Sequence, residues 1–177
     1  MNQSIIEFLH DLQANNNREW FEQNRDKYQK AREDFKLLVE MLIMKINEFD
    51  TSVATSTSQN SIFRIHRDMR FAKNKPPYKT NFGAYMVKDG KKSNHAGYYL
   101  HLEPGRYFLS GGIYCPPADV LRAIRTAIYQ SPGEFKAIIY DKQFKALFGE
   151  LYGEKLKTAP RGFPKDFEDI QLLNYKS

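Results

Sequence analysis

The sequence predicts an α+β fold, a mostly antiparallel sheet of about four or more strands covered by N-terminal and C-terminal helices. Three observations predict it. Apolar residues recur at helical spacing up to about residue 50. Between Phe63 and Tyr114 the period changes to alternation, with tight-turn signals between the alternating segments. After Cys115 helical spacing returns. Helices, then strands, then helices is an α+β order, and 177 residues suit a single domain, 1–177, with a proper core.

Each element has a local reason. Ser4 and Glu7 form a capping box, and Ile5, Phe8, Leu9 and Leu12 follow at helical spacing. Asn15, Asn16 and Asn17 interrupt that helix, and Asn17 can cap the next. The segment from Asn17 to Asp50 reads as mainly helix, with Tyr28, Ala31, Phe35, Leu38, Leu42, Ile46 and Phe49 along one face. Thr51 to Asn60 is small and polar, a loop. A first strand places Phe63 and Ile65 on the buried side and Arg64 and His66 on the other. Phe82 to Val87 is a second strand, and Asp89-Gly90 a hairpin signal after it. Ala96 to Glu103 is a third, with Tyr98, Leu100 and Leu102 on one face, and Arg106 to Tyr114 returns after Pro104-Gly105. Pro117 opens a helix whose stripe is Val120, Leu121, Ile124, Ala127 and Ile128. Ser131, Pro132 and Glu134 begin another through about Tyr140, and Asp141 caps a short one ending near Gly149. The Gly- and Pro-rich chain beyond Leu151 is irregular.

Composition excludes several classes. Aromatic residues reach 14%, so the core is expected to rest on Phe and Tyr. The single cysteine rules out an internal disulfide, and the N-terminus carries no signal-peptide pattern, which together predict a cytoplasmic protein. The apolar runs are far shorter than the roughly 20 residues of a membrane helix, so no membrane partner is expected. No cofactor motif is present, and none is expected.

The net charge of +6 is concentrated rather than spread. Between Phe63 and Lys79 stand Arg64, Arg67, Arg70, Lys73, Lys75 and Lys79 against one acid, Asp68. Such concentration points to an anionic partner. Arginine forks suit phosphate or carboxylate, and lysines add mobile point charges. The expected ligand site is therefore Arg64, Arg67, Asp68, Arg70, Lys73, Lys75, Tyr78 and Lys79, with Asp68 orienting the arginines and Tyr78 closing one side. The plainer reading pairs these arginines with the acids of the long N-terminal helix, Glu19, Glu22, Asp26, Glu33 and Asp34.

Other chemistries are less favoured. His66 and Asp68 with His95 or His101 could be imagined around a metal, but six nearby cations oppose a divalent ion and no ligand spacing is present. Ser110 before Gly111-Gly112 is not a nucleophile elbow, and Cys115 has no evident base. Nucleic acid ranks below a small ligand, because the alternation puts Phe63 in the core rather than on a stacking platform.

The run Arg67-Asp68-x-Arg70-Phe71-x-Lys73-x-Lys75-x-Pro77-Tyr78-Lys79-Thr80 resembles the central motif of domain-of-unknown-function family 2461, a family of conserved hypothetical proteins. Asn17-Arg18-Glu19-Trp20-Phe21 with Tyr28, and Gly111-Gly112 with Pro117 and Arg125, are similar to its other signatures. The resemblance covers nearly the whole chain and implies no particular activity. The family pattern is expected to continue past Ser177, which would leave a C-terminal segment outside this chain.

Three functional readings follow. The first is a binding domain for a small phosphorylated or carboxylated ligand. The second is an enzyme on such a substrate, with Asp68 or Tyr78 transferring the proton. The third is a docking module for an acidic protein or nucleic acid.

Overall fold

The N-terminal helix α1 (Gln3–Ala14) buries Ile5, Phe8, Leu9 and Leu12, the four positions its spacing selects. The computed structural model describes residues 3–70 and 74–176. Ser4 is inside α1 rather than at its cap. Its hydroxyl donates to Asp34 of the long third helix, and Glu7 accepts instead from Gln3.

Asn17 caps α2 (Arg18–Gln23), accepting from the Trp20 amide at 2.9 Å. The expected continuous helix breaks at Asn24, and α3 (Arg25–Asn47) follows. Ala31, Phe35, Val39, Ile43 and Ile46 are its buried face, with Leu38 and Leu42 partly buried beside them. Phe49 lies past the helix end and is 72% exposed, so it leaves the stripe.

Thr51 to Asn60 is more ordered than a loop. A 3-10 turn (Thr51–Thr55) is capped by Asp50, and α4 (Ser58–Ser61) carries a full capping box between Thr57 and Asn60. The side chains of Asp50, Thr57 and Asn60 close these turns by accepting from the backbone amides of Ser52, Asn60 and Thr57.

The described residues form three strands, in the order β1-β2-β3. These are β1 (Phe82–Met86), β2 (Gly97–Glu103) and β3 (Arg106–Gly112), paired antiparallel throughout. The first strand expected at Phe63 to His66 contributes two isolated bridges, Ile62 with Ala84 and His66 with Tyr78. Asp89 and Gly90 both take positive φ in the connection from β1 to β2, as a turn with that dipeptide requires.

Phe82, Ala84 and Met86 of β1 and Leu100 and Leu102 of β2 share one core with α1 and α3. Leu100 is centred there, so Leu100→Ala is expected to cost about 2–5 kcal/mol by urea denaturation. Less than about 1 kcal/mol would show that the sheet does not depend on this contact.

The chain divides into two compact units, 1–112 and 113–177. The second contains α5 (Ala118–Gln130), α6 (Pro132–Ile139), α7 (Lys142–Phe148) and α8 (Ile170–Leu173). Its core is small: Ile128, Ile139, Leu172 and Leu173, with flanking Phe135, Phe144, Phe163 and Phe167. Of the stripe read in α5, Ile128 is buried, while Ile124 and Ala127 are exposed. Ser131 makes no side-chain cap for α6, whereas Asp141 caps α7 through the amides of Gln143 and Phe144. Arg125 donates to the carbonyls of Leu173 and Tyr175, which ties the end of α8, a helix in the stretch expected to be irregular, to α5.

Candidate functional site

The basic segment is a loop closed at its base. The Arg67 amide donates to Pro77 O and the Lys79 amide to Ile65 O, each at 2.8 Å, so residues 65–67 and 77–79 form a short antiparallel clasp. Asn16 grips the clasp from outside. Its amide donates to Tyr78 O at 3.0 Å and its oxygen accepts from the Tyr78 amide at 3.1 Å. The Tyr78 ring stacks on Phe21, with centroids 3.9 Å apart and planes 10° from parallel, and His66 meets both rings edge-on. The N-terminal Asn-rich turn and the aromatic residues after it thus hold the base of the loop.

Tyr78 is only 4% exposed. Its ring packs, and what the clasp presents from this residue is its backbone carbonyl, which accepts from Arg67 Nε at 3.1 Å.

The cations take different positions. Asp68 is held by Arg70, through Nη2 at 2.7 Å and Nε at 3.0 Å, and is approached by Arg64 at 3.6 Å. The Arg70 bonds foremost keep its carboxyl below the usual range, so it is ionised. Glu22 pairs with Arg25 and Glu33 with Lys36, while the loop's own Asp68 meets both Arg64 and Arg70. Lys75 is exposed, and Lys73 lies outside the described residues.

Lys79 is placed differently. The residue is half-buried, and its ammonium lies 5.7 Å from the centre of the Phe63 ring. Burial pushes its pKa below the ordinary lysine value of 10.5, and the positive charges of Arg64 and Arg67 push it further the same way. These three cations therefore bear on one another at the point where the loop leaves the clasp.

Phe63 corrects the sequence reading. It is 36% exposed and meets Tyr99 edge-on at 6.3 Å, rather than packing in the core with Ile65. The backbone here pairs only at isolated positions, so strict alternation does not hold. The Phe63 amide donates to Gly83 O, which sets its ring beside the sheet face opposite the helical core.

That face carries Tyr99 and Glu103, which the sequence reading passed over, and His101, which it weighed only as a metal ligand. Tyr99, His101 and Glu103 alternate along β2, opposite in facing to Leu100 and Leu102. His101 Nε2 is 3.2 Å from Glu103, whose other oxygen accepts from Thr80 at 2.7 Å, and the Tyr99 hydroxyl is 3.1 Å from His101 Nδ1. Thr80 foremost, with His101, holds the Glu103 carboxyl below the usual range despite burial. An ionised Glu103 accepts from Nε2–H, which leaves Nδ1 to accept the Tyr99 proton. Burial pushes the Tyr99 phenol up, so it remains a donor. Its hydroxyl lies against Gly83, where any side chain would meet it at 2.7 Å. The signal was present as the polar half of the β2 alternation, but the cross-strand partners depend on register.

The family model for conserved hypothetical proteins, DUF2461, matches residues 4–177. The chain belongs to this family. No curated protein and no solved structure matches this DUF2461 chain. Among the described residues of the loop and clasp in this DUF2461 chain, Tyr78 is buried against Phe21, Arg67 and Lys79 are half-buried, and Arg70 and Lys75 are exposed. Among the described residues no group of three or more His, Cys, Asp or Glu could hold a metal, and no helix is long and apolar enough to cross a membrane.

Proposed function

We propose that this protein binds a small anionic ligand, phosphorylated or carboxylated, at Lys79, Arg64 and Arg67. The single observation that carries this reading is the half-buried Lys79, whose ammonium stands over the Phe63 ring at the edge of the clasp that bonds Arg67, with burial foremost and the charges of Arg64 and Arg67 disfavouring its own charge. An anion there would relieve that repulsion, and the rigid clasp holds the cations in place before binding, so little ordering is lost. In this reading Asp68 positions Arg70 and Arg64, the exposed Lys75 adds positive charge, and Tyr78 supports the clasp.

The test is a thermal-shift titration with inorganic phosphate and with citrate. At 100 times its dissociation constant a ligand stabilises by about 2.7 kcal/mol, a shift of roughly 5–10 °C for a chain this size. Lys79→Gln is expected to remove the shift without lowering the melting temperature of the free protein. A shift that survives in both Lys79→Gln and Arg64→Ala would sink the reading.

The pH dependence has a definite sign. Because the Lys79 pKa is lowered in the fold, its charge is a penalty at neutral pH that is relieved as pH rises through the folded pKa, below 10.5. Ligand affinity moves the other way. It should fall over that same alkaline range as the ammonium is lost, earlier than for an ordinary lysine, and isothermal titration across pH 7–10 reads it.

A second reading, an enzyme on the same ligand class, is favoured by the chain from Glu103 through His101 to Tyr99. Asp68 is engaged by Arg70 and the Tyr78 ring is in the core, so Tyr99 is the better-placed proton donor. Deuterium incorporation from D2O into a bound phosphorylated or carboxylated ligand, lost in Tyr99→Phe while binding persists, would favour the enzyme.

A further inference from the structure

The face beside Lys79 is lined with aromatic rings. Phe63 meets Tyr99 at 6.3 Å, and Tyr99 meets Phe108 at 5.9 Å. A cation stands over each end of this row, Lys79 on Phe63 and Arg106 on Phe108 at 5.3 Å. A sugar phosphate or a dicarboxylate uses the cations and gains nothing from the rings. A ligand with a flat ring one sugar away from its phosphate uses both.

The rings differ in what they leave open. His101 and Phe108 stack on each other at 4.8 Å, so each already covers the other. Tyr99 is half-buried and tilted against Phe108. Phe63 is the exposed ring of the row and the one next to the cations. That geometry suits one base rather than a run of them. On the same face the Asn81 side chain, whose Nδ2 is a long 3.5 Å from His101 Nδ1, carries both a donor and an acceptor.

We propose that the ligand of this site is a nucleoside monophosphate, with its phosphate at Lys79, Arg64 and Arg67 and its base against Phe63. This rests on the anion-site reading above and narrows it. Base–aromatic stacking separates a nucleotide from its sugar phosphate by about 5- to 150-fold in affinity.

The experiment is isothermal titration of the full chain, at low salt, with AMP, GMP, CMP and UMP, with ribose 5-phosphate, with inorganic phosphate, and with a short single-stranded oligonucleotide. At least one mononucleotide is expected to bind 5-fold or more tighter than ribose 5-phosphate. Phe63→Ala is expected to bring it to the ribose 5-phosphate level while ribose 5-phosphate itself binds as before. Phe63→Leu, which keeps apolar packing beside Tyr99, is expected to lose the same increment with the melting temperature retained. Equal affinity for ribose 5-phosphate and all four mononucleotides overturns the inference and leaves the anion site standing. No binding by any of the phosphates overturns both. Tight binding by the oligonucleotide alone overturns the inference in favour of a polynucleotide surface.

Discussion

Phe35→Ala is expected to destabilise the protein by about 3–5 kcal/mol, the range for removing a large buried aromatic ring. Phe35 is fully buried in the middle of α3, and its ring stacks on Phe82 of β1 with centroids 5.1 Å apart and planes 17° from parallel. Phe82 also stacks on Phe8 of α1 at 6.1 Å. The ring thus joins α3 to β1, and Phe82 carries the stack on to α1, so its loss breaks the aromatic link between α3 and the sheet. Collapse of the surroundings would recover little, since β1 is fixed by its ladder to β2 and α3 by its own backbone bonds. Urea denaturation checks this through a lowered midpoint at unchanged slope. A loss below about 1 kcal/mol would mean that the helices and the sheet do not share one core.

The helical half of that core was readable because burial there follows a fixed period. Ala31, Phe35 and Ile46 come from spacing alone, and so do the four buried residues of α1. Leu100 and Leu102 come from alternation in the same way. The reading failed where the chain stops being periodic. Ile62 and His66 bridge at single positions, and the turn of chain between them sends Phe63 to the outer face and Ile65 to the core. Phe49 kept the α3 period beyond the point where the helix ends, and periodicity does not mark its own end. Within the candidate site, charge was legible and partnership was not. The six cations are visible in the string, but that Asp68 takes Arg70, that Asn16 takes the backbone of Tyr78, and that Lys79 sits on Phe63 are results of folding across many residues. Tyr78 shows the limit well: a tyrosine among lysines reads as a surface ring, yet 62 positions upstream an asparagine side chain pins its backbone, while Phe21 buries its ring.

Phe21→Ala is expected to cost about 3–5 kcal/mol and also to weaken anion binding in the fraction that remains folded. Phe21 is 3% exposed, and its ring touches Tyr78, Tyr28, His66 and Phe8. Aromatic pairs of this kind are worth about 0.5–1.5 kcal/mol each beyond the area they bury. Tyr78 lies between the two strands' worth of contacts that close the loop, since its neighbours Pro77 and Lys79 bond Arg67 and Ile65. Removing the ring beneath it leaves the clasp to its own hydrogen bonds and those of Asn16, without the stack that seats Tyr78. Arg67 and Lys79 then lose their fixed separation, and the ordering that the clasp had supplied must come from ligand binding. Phe21→Leu separates the two effects. It restores much of the buried volume, so most of the stability should return, but it cannot restore the parallel stack on Tyr78, so phosphate affinity should stay low. Phosphate titration of the two variants at a temperature where both are folded reads the difference. If Phe21→Leu recovers affinity in step with stability, the clasp serves the fold alone, and the arrangement of Arg67 and Lys79 does not depend on the stack.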